Sequence, residues 1–220
     1  MAGQREDLVV IPTGRHGLPA NVVAEHQRER LLAATIQLVA KRGYRGTSVD
    51  HIVKAAKVGY VAFYDLFDGK QACFLAAFDR IVTETSEELA AAVSPAAPWS
   101  EQVCAGLARL VASIAADPGR ARVALVEVQA AGPVAFARYQ QAIDAAIPKL
   151  REGRAFRPEA ANLSDALEEG TIGAVAWIFH QGLVQGEGAR IAGLLGQAIQ
   201  MALAPYLGEA EAHRIALANS

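Results

Sequence analysis

The chain has 220 residues, 52 % hydrophobic and 20 % charged, with a net charge of −2; this is ample apolar material for packed cores and excludes a solvated, disordered polymer. No run approaches the ~18 apolar residues of a membrane span, and the start, MAGQREDLVVIPTGRHG, lacks the apolar stretch of a signal peptide. Two cysteines, Cys73 and Cys104, are too few for a disulfide framework and lack metal-ligand spacing, so we expect a cytoplasmic protein with reduced thiols, no metal and no cofactor. The charge is uneven: residues 1–70 hold 10 Lys/Arg against 7 Asp/Glu, and residues 71–220 hold 11 against 16. A basic first third beside an acidic remainder fits contact with a polyanion at one end only.

Residues 1–20 mix Pro12, Gly14, Gly17 and Pro19 with Arg5, Arg15 and His16, which reads as an irregular, flexible basic arm. Such an arm can reach a DNA minor groove or remain a solvated tail. Asn21 is placed to cap a helix running to about Arg42, ended by Gly43. Next comes TSVDHIVKAAKVGYVAFYDLF, residues 47–67. Thr47 with Asp50 reads as an N-cap pair, and Val49, Ile52, Val53 and Ala56 share one helical face. Lys57-Val58-Gly59 breaks that helix, and Val61, Phe63, Tyr64 and Phe67 restart another. A short capped helix, a Gly-containing turn and a second helix form the layout of a helix-turn-helix.

From about Gln27 through Ala77 the sequence resembles the tetracycline-repressor-like (TetR) family of bacterial regulators. The resemblance rests on the Ala-rich helix ending in Gly43-Tyr44, Thr47-Ser48-Val49, the stretch from Ile52 to Val58, Phe63-Tyr64-x-x-Phe67, and Lys70. It implies an N-terminal three-helix DNA-binding domain and a C-terminal helical domain for ligand binding and dimerisation. It also implies phosphate contacts at Thr47, Tyr64 and Lys70, and base-facing residues among Tyr60, Val61, Ala62 and Asp65. Two departures stand out. The family usually has Gly where this chain has Lys57 and Ser where it has Gly59. The stretch 59–67 contains no Lys or Arg, and Tyr60 stands where relatives commonly place a basic residue. Asp65 is either a base reader, accepting from cytosine N4, or a solvated residue.

Asp68 and Gln71 read as a second capping pair, opening a long helix to about Val93 with Cys73, Phe74, Ala77, Phe78, Ile81 and Val82 on its apolar stripe. Ser94-Pro95-Ala96-Ala97-Pro98 ends it. From Ser100 onward no strand alternation appears, and helices are predicted over 100–116, 118–131, 133–151, 165–185 and 189–207, with a polar loop at 152–163 and a C-terminal tail at 208–220. The class is therefore all-α, divided into an arm (1–20), a helix-turn-helix domain (21–69) and a regulatory and dimerisation domain (70–207). The last two predicted helices are rich in small residues, including Gly170, Gly173, Gly193 and Gly196. Gly inside a helix costs ~1 kcal/mol relative to Ala, so close backbone approach is expected, with two helices from each chain pairing about a two-fold axis.

Glu127, Gln129, Phe136, Tyr139, Trp177, His180 and Gln181 interrupt the apolar helices. They are the candidate ligand-binding residues, since pockets combine an apolar lining with a few placed polar groups. The five histidines pair with no Ser, Cys or carboxylate at diagnostic spacing, and no phosphate-cradling loop or metal motif appears, so no enzymatic activity is expected. The reading is a homodimeric transcriptional regulator, a repressor released from a palindromic double-stranded DNA operator by a small-molecule effector. The alternative is a helix-turn-helix-derived interaction protein that no longer binds DNA by itself.

Overall fold

A computed structural model describes residues 19–157, 163–164, 166–186 and 191–220; apart from Pro19 and Ala20, the expected basic arm lies outside them. Every regular element among the described residues is helical, in the order α1 (Ala20–Arg42), α2 (Val49–Ala56), α3 (Tyr60–Leu66), α4 (Lys70–Ala92), α5 (Trp99–Ala116), α6 (Pro118–Leu125), a 3-10 turn (Glu127–Ala131) and α7 (Pro133–Asp144). The chain continues through α8 (Ile147–Arg151), a 3-10 turn (Glu152–Phe156), α9 (Ala166–Val184), a short turn (Ala192–Leu194), α10 (Leu195–Leu207) and α11 (Glu209–Ala218).

The helices start differently from the sequence expectation. Helix α1 follows Pro19 with no side-chain cap, so Asn21 lies within its first turn. Ser48, not Thr47, caps α2: its hydroxyl accepts from the His51 amide, and the His51 ring accepts from the Ser48 amide. Thr47 is one residue too early and turns inward, donating to Gly43 O at 2.9 Å. Helix α4 follows Gly69 at φ 154°, a conformation that favours Gly. Asp68 therefore misses the cap position, and Gln71 Nε2 instead donates to Ala131 O at 2.8 Å.

Helix α4 belongs to two cores. Its first turns place Cys73 and Ala77 against Leu31, Leu32, Ile52, Val53 and Phe63. One residue on from these, Phe74 and Phe78, with Ile81, pack with Val39, Val123 and Val128. Rotation by 100° per residue lets one amphipathic helix present adjacent stripes to successive layers. The reading head and the helical body thus share a rigid element.

Two long predicted helices break. The stretch 118–131 ends its α-helix at Leu125 and continues as a 3-10 turn. The stretch 133–151 breaks after Asp144 and restarts at Ile147, with Pro148 in the first turn, where its missing N–H leaves no gap. Residues 208–220 are no tail: α11 buries Ala212 and Ala216 in the core shared with α10.

A buried ion pair pins α9 to the opposite end of this body. Glu168 is fully buried and accepts from Arg154 Nε at 2.7 Å and Nη2 at 2.8 Å, and from the Tyr206 hydroxyl at 3.3 Å. The Arg154 hydrogen bonds hold its carboxyl below the usual range despite burial, while burial and the nearby carboxylate push Tyr206 up. Glu168→Ala removes two charge-assisted hydrogen bonds from Arg154 at a buried carboxylate, so it is expected to cost about 1.5–3 kcal/mol, measured by urea unfolding at neutral pH. Because the folded pKa is lowered, this stabilisation is present above the ordinary carboxylate range and is lost as pH falls through the folded value. The penalty of the variant should shrink correspondingly in acid.

Candidate nucleic-acid interface and apolar cavity

The geometry of the reading head begins with α2. Its N-terminus is closed by the Ser48–His51 box, worth about 1 kcal/mol. Its C-terminus is closed by Arg30, buried in α1, whose Nη2 donates to Ala56 O and, at 2.9 Å, to Lys57 O. Lys57 itself is left-handed, at φ 52° and ψ 44°. The turn therefore keeps the geometry that a Gly would hold without strain, and Lys57 adopts it at a cost of ~1–2 kcal/mol. Gly59 stands at the N-cap of α3 and supplies no side-chain cap.

Helix α3 buries Phe63 and packs the half-buried Ala62 and Leu66 against the first core. Its outer face carries Tyr60 (48 % exposed), Val61 (78 %) and Tyr64 (56 %), with Asp65 also exposed. Tyr64 stands edge-on to Phe63, with centroids 5.2 Å apart. Tyr60 is not free: its hydroxyl donates to Asp50 Oδ1 at 2.7 Å, while Asp50 Oδ2 pairs with Lys54 at 2.9 Å. Those two bonds, the one from Tyr60 first, hold the Asp50 carboxyl below its ordinary range. Asp65 makes no hydrogen bond or ion pair among the described residues. Exposed cations lie off α3, at Lys41 and Arg42 on α1, Arg45 in the following loop, Lys54 on α2 and Lys57 at its C-cap. Arg42 bonds the His51 ring at 3.2 Å.

Two expected phosphate contacts point inward. Thr47 is 2 % exposed and engaged with Gly43. Lys70 Nζ donates to Tyr44 O at 3.0 Å and Thr47 O at 2.9 Å, and lies 4.1 Å from the centroid of the Tyr44 ring. Burial pushes its pKa down. A lysine at a helix start opposes the helix dipole, and here two carbonyls and a ring face take its charge inside the chain.

Tyr44 is held from its other side as well. Its amide donates to Glu127 Oε2 at 2.9 Å, and Glu127 Oε1 accepts from Arg122 at 3.3 Å. Its ring meets Phe74 edge-on, with centroids 5.0 Å apart. Glu127, expected in a ligand pocket, instead joins the 3-10 turn to the loop between α1 and α2. It faces an open cleft of about 540 Å³ that is also bordered by Lys41, Arg42 and Arg122.

The apolar cavity lies elsewhere, between α4, α5, α6, α7 and α9 and partly open to solvent, with a volume of about 240 Å³. Phe78, Val82, Leu110, Ile172, Val175 and Phe179 supply much of its wall, and Thr85, Ser113, Arg120 and Tyr139 its polar groups. Of the seven expected ligand residues only Tyr139 lines it; burial raises its pKa. Gln129 is exposed, and Phe136 is exposed and stacks on Tyr139 with centroids 6.0 Å apart. Trp177, 59 % exposed, stacks flat on His180 at 5.4 Å, and with the half-buried Gln181 occupies the face of α9 turned away from the cavity. The cavity face of α9 is Ile172, Val175, Ala176 and Phe179, the i, i+3, i+4, i+7 set of one helix side. Periodicity could have found these residues; ranking aromatic and polar residues as the conspicuous ones selected the opposite face.

Among the described residues no three His, Cys, Asp or Glu side chains cluster to hold a metal, and no helix is long and apolar enough to cross a membrane.

Fold and site together define a helix-turn-helix head carried on an all-helical domain with an apolar cavity. Residues 31–77 match the model of the bacterial regulatory proteins of the tetR family, so the helix-turn-helix head is similar to theirs. An uncharacterized HTH-type transcriptional regulator encoded in the lacX 3' region of Lactococcus lactis subsp. lactis is 42 % identical over 55 residues. That stretch is 25 % of this chain and only 28 % of the relative's length. Solved structures extend the likeness in fold. The fatty acid degradation regulator FadR from Bacillus halodurans superposes with a TM-score of 0.70 at 18 % identity, covering 80 % of this chain and 94 % of that one. A TetR family regulator from Marinobacter aquaeolei VT8 reaches 0.63 at 21 % identity, over 84 % and 97 %. FadR from Bacillus subtilis, solved in complex with stearoyl-CoA, reaches 0.60 at 14 % identity, over 82 % and 98 %.

The inward geometry of Lys70 sets an expected outcome. Lys70→Ala removes two charge-assisted hydrogen bonds from the loop entering α2, and should lower folding stability by about 1.5–3 kcal/mol in chemical denaturation. A lysine that served only an external phosphate would leave stability unchanged.

Proposed function

We propose that the chain is a homodimeric repressor, acting in the cytoplasm, that reads a palindromic DNA operator and is released from it by a small-molecule effector. The observation that carries this reading is the outer face of α3. Tyr60, Val61, Tyr64 and Asp65 stand exposed on a short helix whose support is capped at both ends, as a helix entering a major groove requires. Residues 21–69 serve as reading head and residues 70–207 as regulatory and dimerisation domain, with α11 completing the latter.

The roles within the head divide by charge. Affinity comes from the flanking cations, with Arg45, Lys54 and Lys57 in place of Thr47 and Lys70 at the phosphates, and from the Tyr64 hydroxyl. Val61 is suited to a thymine methyl, and Asp65 to cytosine N4. Dimerisation uses the outer face of α9. Gly170 and Gly173 face open space there, where an added Cβ would meet nothing within 4 Å, and Trp177 and Val184 extend the same exposed side.

Effector release runs from the cavity through α6 to Glu127 and Tyr44. A ligand shifts this equilibrium only by its differential affinity for the two states. The complex of the Bacillus subtilis FadR with stearoyl-CoA supports an apolar effector for this architecture.

Selection of random duplex DNA by the purified protein at two salt concentrations tests the reading. We expect enrichment of a two-fold symmetric site with half-sites about 34–36 Å apart or a multiple, and affinity that falls steeply with salt as counterions are released. Arg45→Ala should weaken binding without changing the preferred sequence. Absence of any enriched site, with negligible retention at low salt, favours an interaction protein that has lost DNA binding, consistent with the missing Lys and Arg on α3. Gly173→Arg should leave the fold intact and convert the dimer to a monomer in sedimentation, because the new side chain meets only a partner subunit.

A further inference from the structure

The cavity between α4, α5, α6, α7 and α9 has a size and a charge balance that restrict its occupant. We propose that it takes an uncharged, apolar molecule of modest size carrying one hydrogen-bond acceptor, such as a medium-chain ester or ketone. This assignment rests on the effector site of the proposed function, and it narrows the ligand class of that site.

Size comes first. At roughly 20–30 Å³ per non-hydrogen atom, judged from the ~30 Å³ share of a water molecule, a cavity of about 240 Å³ accommodates on the order of ten such atoms. The walls therefore hold an apolar body of modest size, and a stearoyl chain would extend beyond them.

Charge is decided by Arg120. It is the basic residue on the cavity wall, and its charge is already spent. Nη2 pairs with Glu84 at 3.0 Å and Nη1 with Glu88 at 3.6 Å, and Asp117, another wall residue, caps α6 beside it. An entering carboxylate would meet carboxylates with no free cation to balance it. A cation would find only Asp117, an exposed carboxylate that already caps the Arg120 amide, and would otherwise leave water for a wall made mostly of hydrocarbon. A neutral molecule avoids both penalties.

The acceptor follows from what the wall leaves unsatisfied. The Tyr139 hydroxyl, on the cavity wall, bonds no group among the described residues. Among the described residues Thr85 is engaged by one long contact from Arg120, at 3.4 Å. A wall donor without a protein partner is open to a carbonyl oxygen, which gains affinity by meeting it. The remaining wall, including Phe78, Val82, Ile172 and Phe179, takes the apolar body.

Isothermal titration of the full chain, without DNA, compares methyl octanoate with octanoate, octylammonium and stearoyl-CoA. Saturable one-to-one binding of the ester, with the two ions at least tenfold weaker and stearoyl-CoA not bound, is the expected result. Tyr139→Phe should weaken the ester about tenfold, the loss of one hydrogen bond. Ala142→Leu, which fills the cavity from α7, should abolish binding; circular dichroism melting confirms that each variant is folded. Preference for octanoate, octylammonium or stearoyl-CoA, or no saturable ester binding across the butanoate-to-decanoate series, overturns the proposal. Failure of the regulator reading would appear instead in DNA selection, which contains none of these probes.

Discussion

The two halves of the chain are joined through the backbone of Tyr44. Glu127 takes its amide and Lys70 its carbonyl, Lys70 covers its ring, and Phe74 meets the ring edge-on. Glu127 belongs to the 3-10 turn after α6, Lys70 and Phe74 to α4, and Tyr44 to the loop that delivers α2. Glu127 therefore links α6 to the loop entering α2 through one carboxylate, with one oxygen on each side of the junction. Gln71, bonded to Ala131 O at the other end of the same turn, makes the attachment two-pointed. A two-point attachment transmits rotation as well as translation.

The same arrangement explains why the recognition surface carries little charge. A lysine opening α4 would ordinarily oppose the helix dipole, and here it is occupied with carbonyls, so it reinforces the loop entering α2. What remains outside is a face of Tyr60, Val61, Tyr64 and Asp65 flanked by cations on α1 and α2. Under the proposed function, phosphate attraction would fall to those cations and sequence preference to the α3 face, Asp65 included.

Helix α9 shows how one element serves two faces. Its inner side closes the cavity with Val175, Ala176 and Phe179, while its outer side leaves Gly170, Gly173 and Trp177 uncovered. Close packing of the glycines does not occur within the chain at those positions. It occurs at Gly182, where an added Cβ would lie 2.7 Å from Ile191. The Glu168–Arg154 pair anchors the beginning of this helix, so its inner and outer faces cannot rotate freely against the body. Anything that fills the cavity acts on a helix fixed at one end.

Much of the fold was legible in the residues. The helix-turn-helix was readable because its signals are local: the apolar stripe of Ile52, Val53 and Ala56, a turn at Lys57 to Gly59, and Phe63 and Phe67 as anchors. The all-α class and most helix positions follow from periodicity and from proline and glycine placement for the same reason. Caps were misplaced by one residue, at Thr47 against Ser48, because the choice depends on which backbone bends and not on which side chain is able to cap. The candidate site was legible in its outer half and obscure in its inner half. Exposure of Tyr60, Val61, Tyr64 and Asp65 follows from which face of α3 meets the core. Glu127 and Lys70, by contrast, owe their roles to Tyr44, 83 and 26 residues away in the chain, and Tyr139 shares its cavity with side chains from four other helices. Sequence by itself determined the local elements and the reading head, because capping, turn chemistry and amphipathic spacing act within a few residues. Only the tertiary structure decided which polar groups are satisfied inside the chain and which remain for a partner, because that depends on contacts between distant segments.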